Sequence, residues 1–212
     1  FSASMGSLSV CRINDVSVLR NVQFPEDAGP TSHPVRPSSY IEINNFYTPT
    51  VYEKGAELVR MIFSLLGVER FRQGADLYFD RHDGEAVTTE EFLCSMEDAT
   101  GVELTQFRNW YSVGGTPVIE VSGKYDSNKK IYTLKTKQSG NLAWQDEEIR
   151  AFQIPFKIGL LDSVGKDMRF SAQDSDTADI DDANGYSVVL DLNKQEQEFV
   201  LSNVIEKPLP SL

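Results

Sequence analysis

Residue types capable of chemistry are scarce in this chain, and their spacing excludes several reactions at once. There are two histidines, His33 and His82, and two cysteines, Cys11 and Cys94. A self-contained zinc hydrolase site of the H-E-x-x-H type needs two imidazoles one helical turn apart with a carboxylate beside the first; the pattern is absent. His33 stands in HPVRP, where the residue before each proline is pushed out of helical backbone, so its ring sits on no helix face. No G-x-S-x-G, phosphate-binding P-loop or dinucleotide fingerprint occurs. The cysteines have no metal-type spacing and read as two reduced thiols in a core. Asp174, Asp176, Asp179, Asp181 and Asp182 could offer hard oxygen ligands to Ca²⁺. They lack the glycine and closing glutamate of an EF-hand loop, and read as a solvated acidic hairpin insertion.

One further group remains, Tyr52 in NNFYTPTVYEKGAELVRM (44–61). Thr50 followed by Glu53 has the spacing of a capping box, with Thr50 as N-cap and Glu53 reaching back to its N–H. That places Tyr52 in the first helical turn, where its hydroxyl can donate toward a neighbouring cavity. Gly55 costs about 1 kcal/mol in a helix relative to alanine, so close backbone packing is expected at it. Two readings stand: an ordinary helix start with a half-buried tyrosine, or a donor aimed at a developing oxyanion. The residues alone favour the first.

Residues 1–115 are predicted to be helices and loops. Leu58, Met61, Ile62, Leu65 and Leu66 keep helical spacing until Gly67 stops the helix. A second helix carries Val68, Phe71, Ala75, Tyr78 and Phe79 on one side and ends at His82-Asp83-Gly84. Thr88 and Glu91 cap a third, TEEFLCSMEDA, closed by Gly101. A short fourth is predicted around 104–111, and another turn or two within the first twenty residues. After the turn Gly114-Gly115-Thr116-Pro117 the period changes. PVIEVSG, IYTLKTKQ, FQIPFKIGLLD, MRFSA, YSVVLDL and EFVLSNV read as short strands. Turn signals such as 126–128, 165–166 and 184–185 separate several of them, which predicts a β-sandwich. The domain boundary is expected near 114–117.

The chain has 212 residues, 40% of them hydrophobic, so a sizeable core is possible without metal or disulfide. Its formal net charge of −12 argues against nucleic acid or an anionic membrane as partner. No apolar run approaches the ~20 residues that cross a bilayer. The compartment is unknown from sequence, with the cytoplasm favoured.

NNFYTPTVYEKGAELVRM, preceded by FPEDAGPTSHPVRP and followed by YFDRHDG and WYSVGGTP, closely resembles the aminopeptidase N family of zinc metallopeptidases, in its bacterial-type branch. The resemblance runs in order through about residue 120 and more loosely beyond. It implies a fragment: residues 1–115 as the helical, C-terminal part of a thermolysin-like catalytic domain, and residues 116–212 as a small antiparallel, Ig-like β-sandwich, truncated at its end. The family's H-E-x-x-H, the glutamate that completes its zinc site and the G-x-M-E-N segment that holds the substrate's amino group are not in this sequence.

The resemblance therefore implies zinc in a full-length enzyme that removes N-terminal residues from peptides, with its ligands outside this chain and no zinc expected in the fragment. Tyr52 matches the family tyrosine that hydrogen-bonds the tetrahedral intermediate. Asn44 and Tyr47 match positions near the pocket for the first substrate side chain. His33 and Arg36, in the HPxRP segment, are given structural roles. The expected partners are peptide substrates and the rest of the same polypeptide: an N-terminal catalytic half and a C-terminal helical domain. By itself the fragment is expected to be inactive. The alternative is a non-catalytic scaffold or partner-binding module that keeps the fold, and an H-E-x-x-H encoded upstream of Phe1 would separate the two.

Overall fold

The computed structural model describes residues 6–140, 151–172, 177–178 and 185–212. The five aspartates of the acidic cluster lie outside them. The described chain divides into two compact units. One holds the residues up to Arg60 together with Arg108–Val118; the other holds Met61–Phe107, Ile119–Ser139 and the described residues from 151 to 212.

The first unit opens with more helix than the sequence predicts. Helix α1 (Leu8–Val18) runs through a π-helical turn (Leu19–Gln23) into α2 (Phe24–Ala28). A 3₁₀ turn (Ile43–Phe46) and a second π turn (Thr50–Lys54) lead into the long helix α3 (Gly55–His82). The two π turns pack on each other. Arg12 of α1 pairs through both guanidinium NH₂ groups with Glu57 of α3, tying the two helices together. The unit also holds α5 (Asn109–Ser112), and the Arg36 N–H donates to the Tyr111 carbonyl (2.9 Å).

In the second unit, α3 breaks at Gly67, whose φ of 79° lies in the left-handed half of backbone space that glycine enters without strain. Leu58, Ile62, Leu65 and Leu66 are buried as their spacing predicts. Val68 and Phe79, together on one flank of the next predicted face, are exposed. The face that packs is centred instead on Gly74 and Tyr78, against α4 (Thr89–Thr100). A Cβ built on Gly74 would lie 2.3 Å from the Met96 sulfur, and the Tyr78 and Phe92 rings meet edge to face at 5.4 Å. The α4 capping box is present: Glu91 Oε2 accepts from the Thr88 N–H (2.8 Å) and hydroxyl (2.6 Å), and Gly101 closes the helix at φ 70°.

The strands form two four-stranded sheets. One has the order β1 (Val118–Asp126), β2 (Ile131–Ser139), β7 (Glu196–Ser202), β4 (Ser171–Ala172). The other has the order β5 (Thr177–Ala178), β6 (Ser187–Leu192), β3 (Ile154–Leu161), β8 (Leu209–Ser211). The β2–β7, β4–β7, β3–β6, β3–β8 and β5–β6 pairs are antiparallel. Alternation drives the packing: Tyr132, Leu134, Thr136 and Gln138 point inward from β2, and Phe199 and Leu201 do so from β7. Gln138 spends both ends of its amide on the Phe152 backbone, accepting from its N–H and donating to its carbonyl, each at 3.0 Å. Strand β8 corrects the sequence reading, which ends the last strand before KPLPSL; Leu209–Ser211 pairs with Gly159–Leu161.

Candidate functional site

Tyr52 sits midway along the π turn Thr50–Lys54, and the geometry replaces the predicted cap. The Thr48 hydroxyl, not that of Thr50, accepts the Val51 N–H (3.1 Å). The Thr48 carbonyl accepts the Tyr52 N–H (3.1 Å), and Pro49 is already helical. Helix entry thus lies two residues earlier than predicted, with proline in the first helical position, where its missing N–H is not needed. Glu53 makes no capping box, because both donors of Thr50 are committed elsewhere. Glu26 Oε2 accepts the Thr50 N–H (2.8 Å) and hydroxyl (2.6 Å).

The turn has a wet and a dry side. Thr50 and Lys54 are 0% and 6% exposed, while Tyr52 is 57% exposed. The Tyr52 ring stacks on Tyr47 with centroids 6.2 Å apart and planes inclined by 21°. Asn44, on the 3₁₀ turn, accepts the Tyr47 N–H through its carbonyl (3.1 Å). One segment therefore brings Asn44, Tyr47 and Tyr52 together, with both phenol rings open to solvent. Among the described residues none hydrogen-bonds the Tyr52 hydroxyl.

Beneath them lies a buried polar cluster. The Lys54 ammonium donates to Asp27 Oδ2 and to the Gly115 carbonyl, both at 2.8 Å, and faces the Trp110 ring at 5.8 Å. Asp27 Oδ1 accepts the Gly115 N–H (2.7 Å), and Oδ2 accepts the Thr116 hydroxyl (3.0 Å). Burial by itself would raise the Asp27 carboxyl pKa. The Lys54 charge and these hydrogen bonds override it and hold the group below the usual carboxylate range.

The remaining candidates are dispersed. His33 Nδ1 lies 2.8 Å from the Pro34 carbonyl, while its Nε2 is buried with no partner among the described residues. His82 Nδ1 lies 3.2 Å from Glu85. Cys94 is exposed and Cys11 partly buried, so neither is the core thiol expected from sequence, and no disulfide joins them. Among the described residues no three His, Cys, Asp or Glu side chains form a group that could hold a metal ion. The described residues do not fit a zinc centre.

Comparison with known proteins accounts for both parts of the chain. Residues 7–111 match the peptidase family M1 domain, and residues 115–212 match a domain of unknown function with an Ig-like fold (DUF3458). The chain carries a peptidase family M1 segment. Aminopeptidase N of Escherichia coli is 45% identical over 214 residues, and aminopeptidase N of Haemophilus influenzae 42% identical over 214. Each alignment takes in all of this chain and 23% of the relative, so the chain described here spans about a quarter of their length. A crystal structure of Legionella pneumophila aminopeptidase A in complex with aspartic acid superposes on 84% of the chain and 18% of its own, with a TM-score of 0.69 and 29% identity.

Sequence reasoning about this M1 segment missed Glu26, Asp27 and Lys54. A signal existed for Lys54: it stands four residues before Leu58, which stands four before Ile62 and eight before Leu66. A lysine on the buried stripe of an amphipathic helix needs a buried counter-charge. No comparable signal marks Glu26 and Asp27, whose partners lie 24 and 27 residues away.

Proposed function

We propose that the chain contributes the later part of the M1 catalytic domain, up to about residue 115, and the Ig-like domain of an aminopeptidase, and that Tyr52 donates its hydroxyl to the tetrahedral intermediate of peptide hydrolysis. The observation that supports this is the placement of Tyr52: an exposed phenol on a helix start whose neighbours at 50 and 54 are buried. When water adds to the first peptide carbonyl, negative charge builds on its oxygen. A donor already in place there is worth about 3–4 kcal/mol. Tyr47, stacked on Tyr52, and Asn44, whose carbonyl accepts the Tyr47 N–H, would line the approach of the first substrate side chain. Zinc, implied by the family, would be held by residues outside this chain.

The test is Tyr52→Phe in the full-length polypeptide. The expected outcome is a loss of kcat on an aminoacyl anilide of about 10²–10³-fold, with KM changed by only a few-fold and the thermal midpoint unmoved. Turnover within a few-fold of the parent, with the fold intact, would sink the role. The chain by itself is expected to release no anilide; measurable turnover would contradict its proposed dependence on the rest of the polypeptide.

A further inference from the structure

Tyr52 has little side-chain support. It is more than half exposed, and its ring contact is Tyr47, also exposed. Whatever holds the phenol in place must therefore act on the backbone beneath it. That backbone is a single π turn, an irregularity that packing must sustain and that recurs at functional sites. Its two inward residues stand symmetrically about Tyr52, Thr50 two before and Lys54 two after, and each is bound by one of two adjacent carboxylates of α2. Glu26 Oε2 takes the backbone N–H and the hydroxyl of Thr50, whose oxygen lies 3.4 Å from the Gln23 amide nitrogen. Asp27 Oδ2 takes the Lys54 ammonium.

We propose that Glu26 and Asp27 are positioning residues for Tyr52: by pinning Thr50 and Lys54 they fix the π turn whose opposite side carries the phenol. This rests on the catalytic reading of Tyr52. Stability alone does not account for the arrangement, because a buried ion pair seldom stabilises more than well-packed apolar residues of the same volume. What the cluster supplies is direction. Thr50 is held through both its N–H and its hydroxyl, and Lys54 through a charge pair and a carbonyl, so the segment between them cannot rotate as a unit.

The test is a set of double-mutant cycles in the full-length enzyme. Glu26→Gln keeps the shape and removes the charge; Thr50→Val keeps the shape and removes the hydroxyl. Each is made with Tyr52 present and in a Tyr52→Phe background. A displacement on the order of 1 Å at a catalytic group lowers turnover by up to about 100-fold. The expected result is a kcat loss of about 10-fold or more with KM within about three-fold when Tyr52 is present, and less than about two-fold further loss in Tyr52→Phe. Thr50→Ser, which returns the hydroxyl, recovers the turnover lost in Thr50→Val. A readout independent of turnover is amide exchange: Glu26→Gln speeds exchange at residues 50–54 while the thermal midpoint stays in place. Equal losses in both backgrounds, or no loss in either, overturn the positioning role and leave the Tyr52 reading standing. If Tyr52→Phe itself leaves kcat intact, the catalytic reading falls and the positioning proposal falls with it.

Discussion

Asp27 exchanges its water for four donors: the Lys54 ammonium, the Gly115 N–H, and the hydroxyls of Thr116 and Ser32 (3.3 Å). Desolvation pushes its pKa up, and the Lys54 charge with the hydrogen bonds more than reverses that, so the folded value lies below the unfolded one, which is near 3.9. The sign follows. The stabilisation is complete above the unfolded pKa and is lost as pH falls through the folded one. Asp27→Asn removes this acid limb and leaves the Lys54 ammonium buried without its counter-charge, at a cost of about 3–5 kcal/mol near neutral pH. Urea unfolding followed by Trp110 fluorescence, in a Trp144→Phe background, checks both parts. The variant should unfold at lower urea at pH 7 and show a shallower decline between about pH 5 and pH 2. Parallel pH curves for the two proteins would show that Asp27 is not the group responsible.

Two helical glycines of opposite consequence sit on α3. Gly55 has ordinary helical backbone, φ −57°, and a Cβ there would meet Val35 Cγ1 at 3.6 Å, a normal van der Waals contact. The close packing expected at Gly55 from sequence is therefore absent. At Gly74 the same atom would lie 2.3 Å from the Met96 sulfur and 3.1 Å from its Cα, and the backbone of α4 cannot easily yield. Gly55→Ala should stabilise by about 0.5–1 kcal/mol, raising the melting midpoint by about 1–4 °C. Gly74→Ala should destabilise by about 1–3 kcal/mol through overpacking. Thermal melts of the two variants give opposite shifts, and shifts of one sign would show that clearance does not decide the effect. The same contrast explains what the sequence discloses at this scale. The break at Gly67, the Thr88–Glu91 cap and the Gly101 terminus are local, each settled within about four residues, and all three are legible. Thr50 also has the local pattern of an N-cap, but a carboxylate 24 residues earlier takes both its donors, and a long-range partner overrides local spacing. Neither π turn has a sequence signature, and β8 is three residues long with proline at its centre, too short for alternation to register.

Over the whole molecule, apolar surface and net charge pull in opposite directions. Helix α1 has no buried residue; Leu8, Val10 and Ile13 along it are exposed, and in the loop after α2 Ile41 is 96% exposed. Apolar side chains gathered on one solvent-facing element mark a surface that a partner covers, and the chain spans about a quarter of its aminopeptidase N relatives. The net charge of −12 opposes self-association by repulsion between copies. That repulsion weakens as salt shortens the screening length, from about 30 Å at 0.01 M to about 8 Å at 0.15 M, whereas apolar attraction does not depend on it in this way. The isolated chain should therefore bind an apolar dye at all salt concentrations and self-associate more strongly as salt rises, as read by sedimentation velocity. Ile13→Glu combined with Ile41→Glu should weaken both the dye binding and the salt-induced association without moving the thermal midpoint, because neither side chain contributes to a core. If the rest of the full-length polypeptide is the partner that covers this surface, its dye signal per mole should fall below that of the isolated chain. A salt-independent, monodisperse monomer that binds no dye would show that these exposed side chains do not act as one apolar surface.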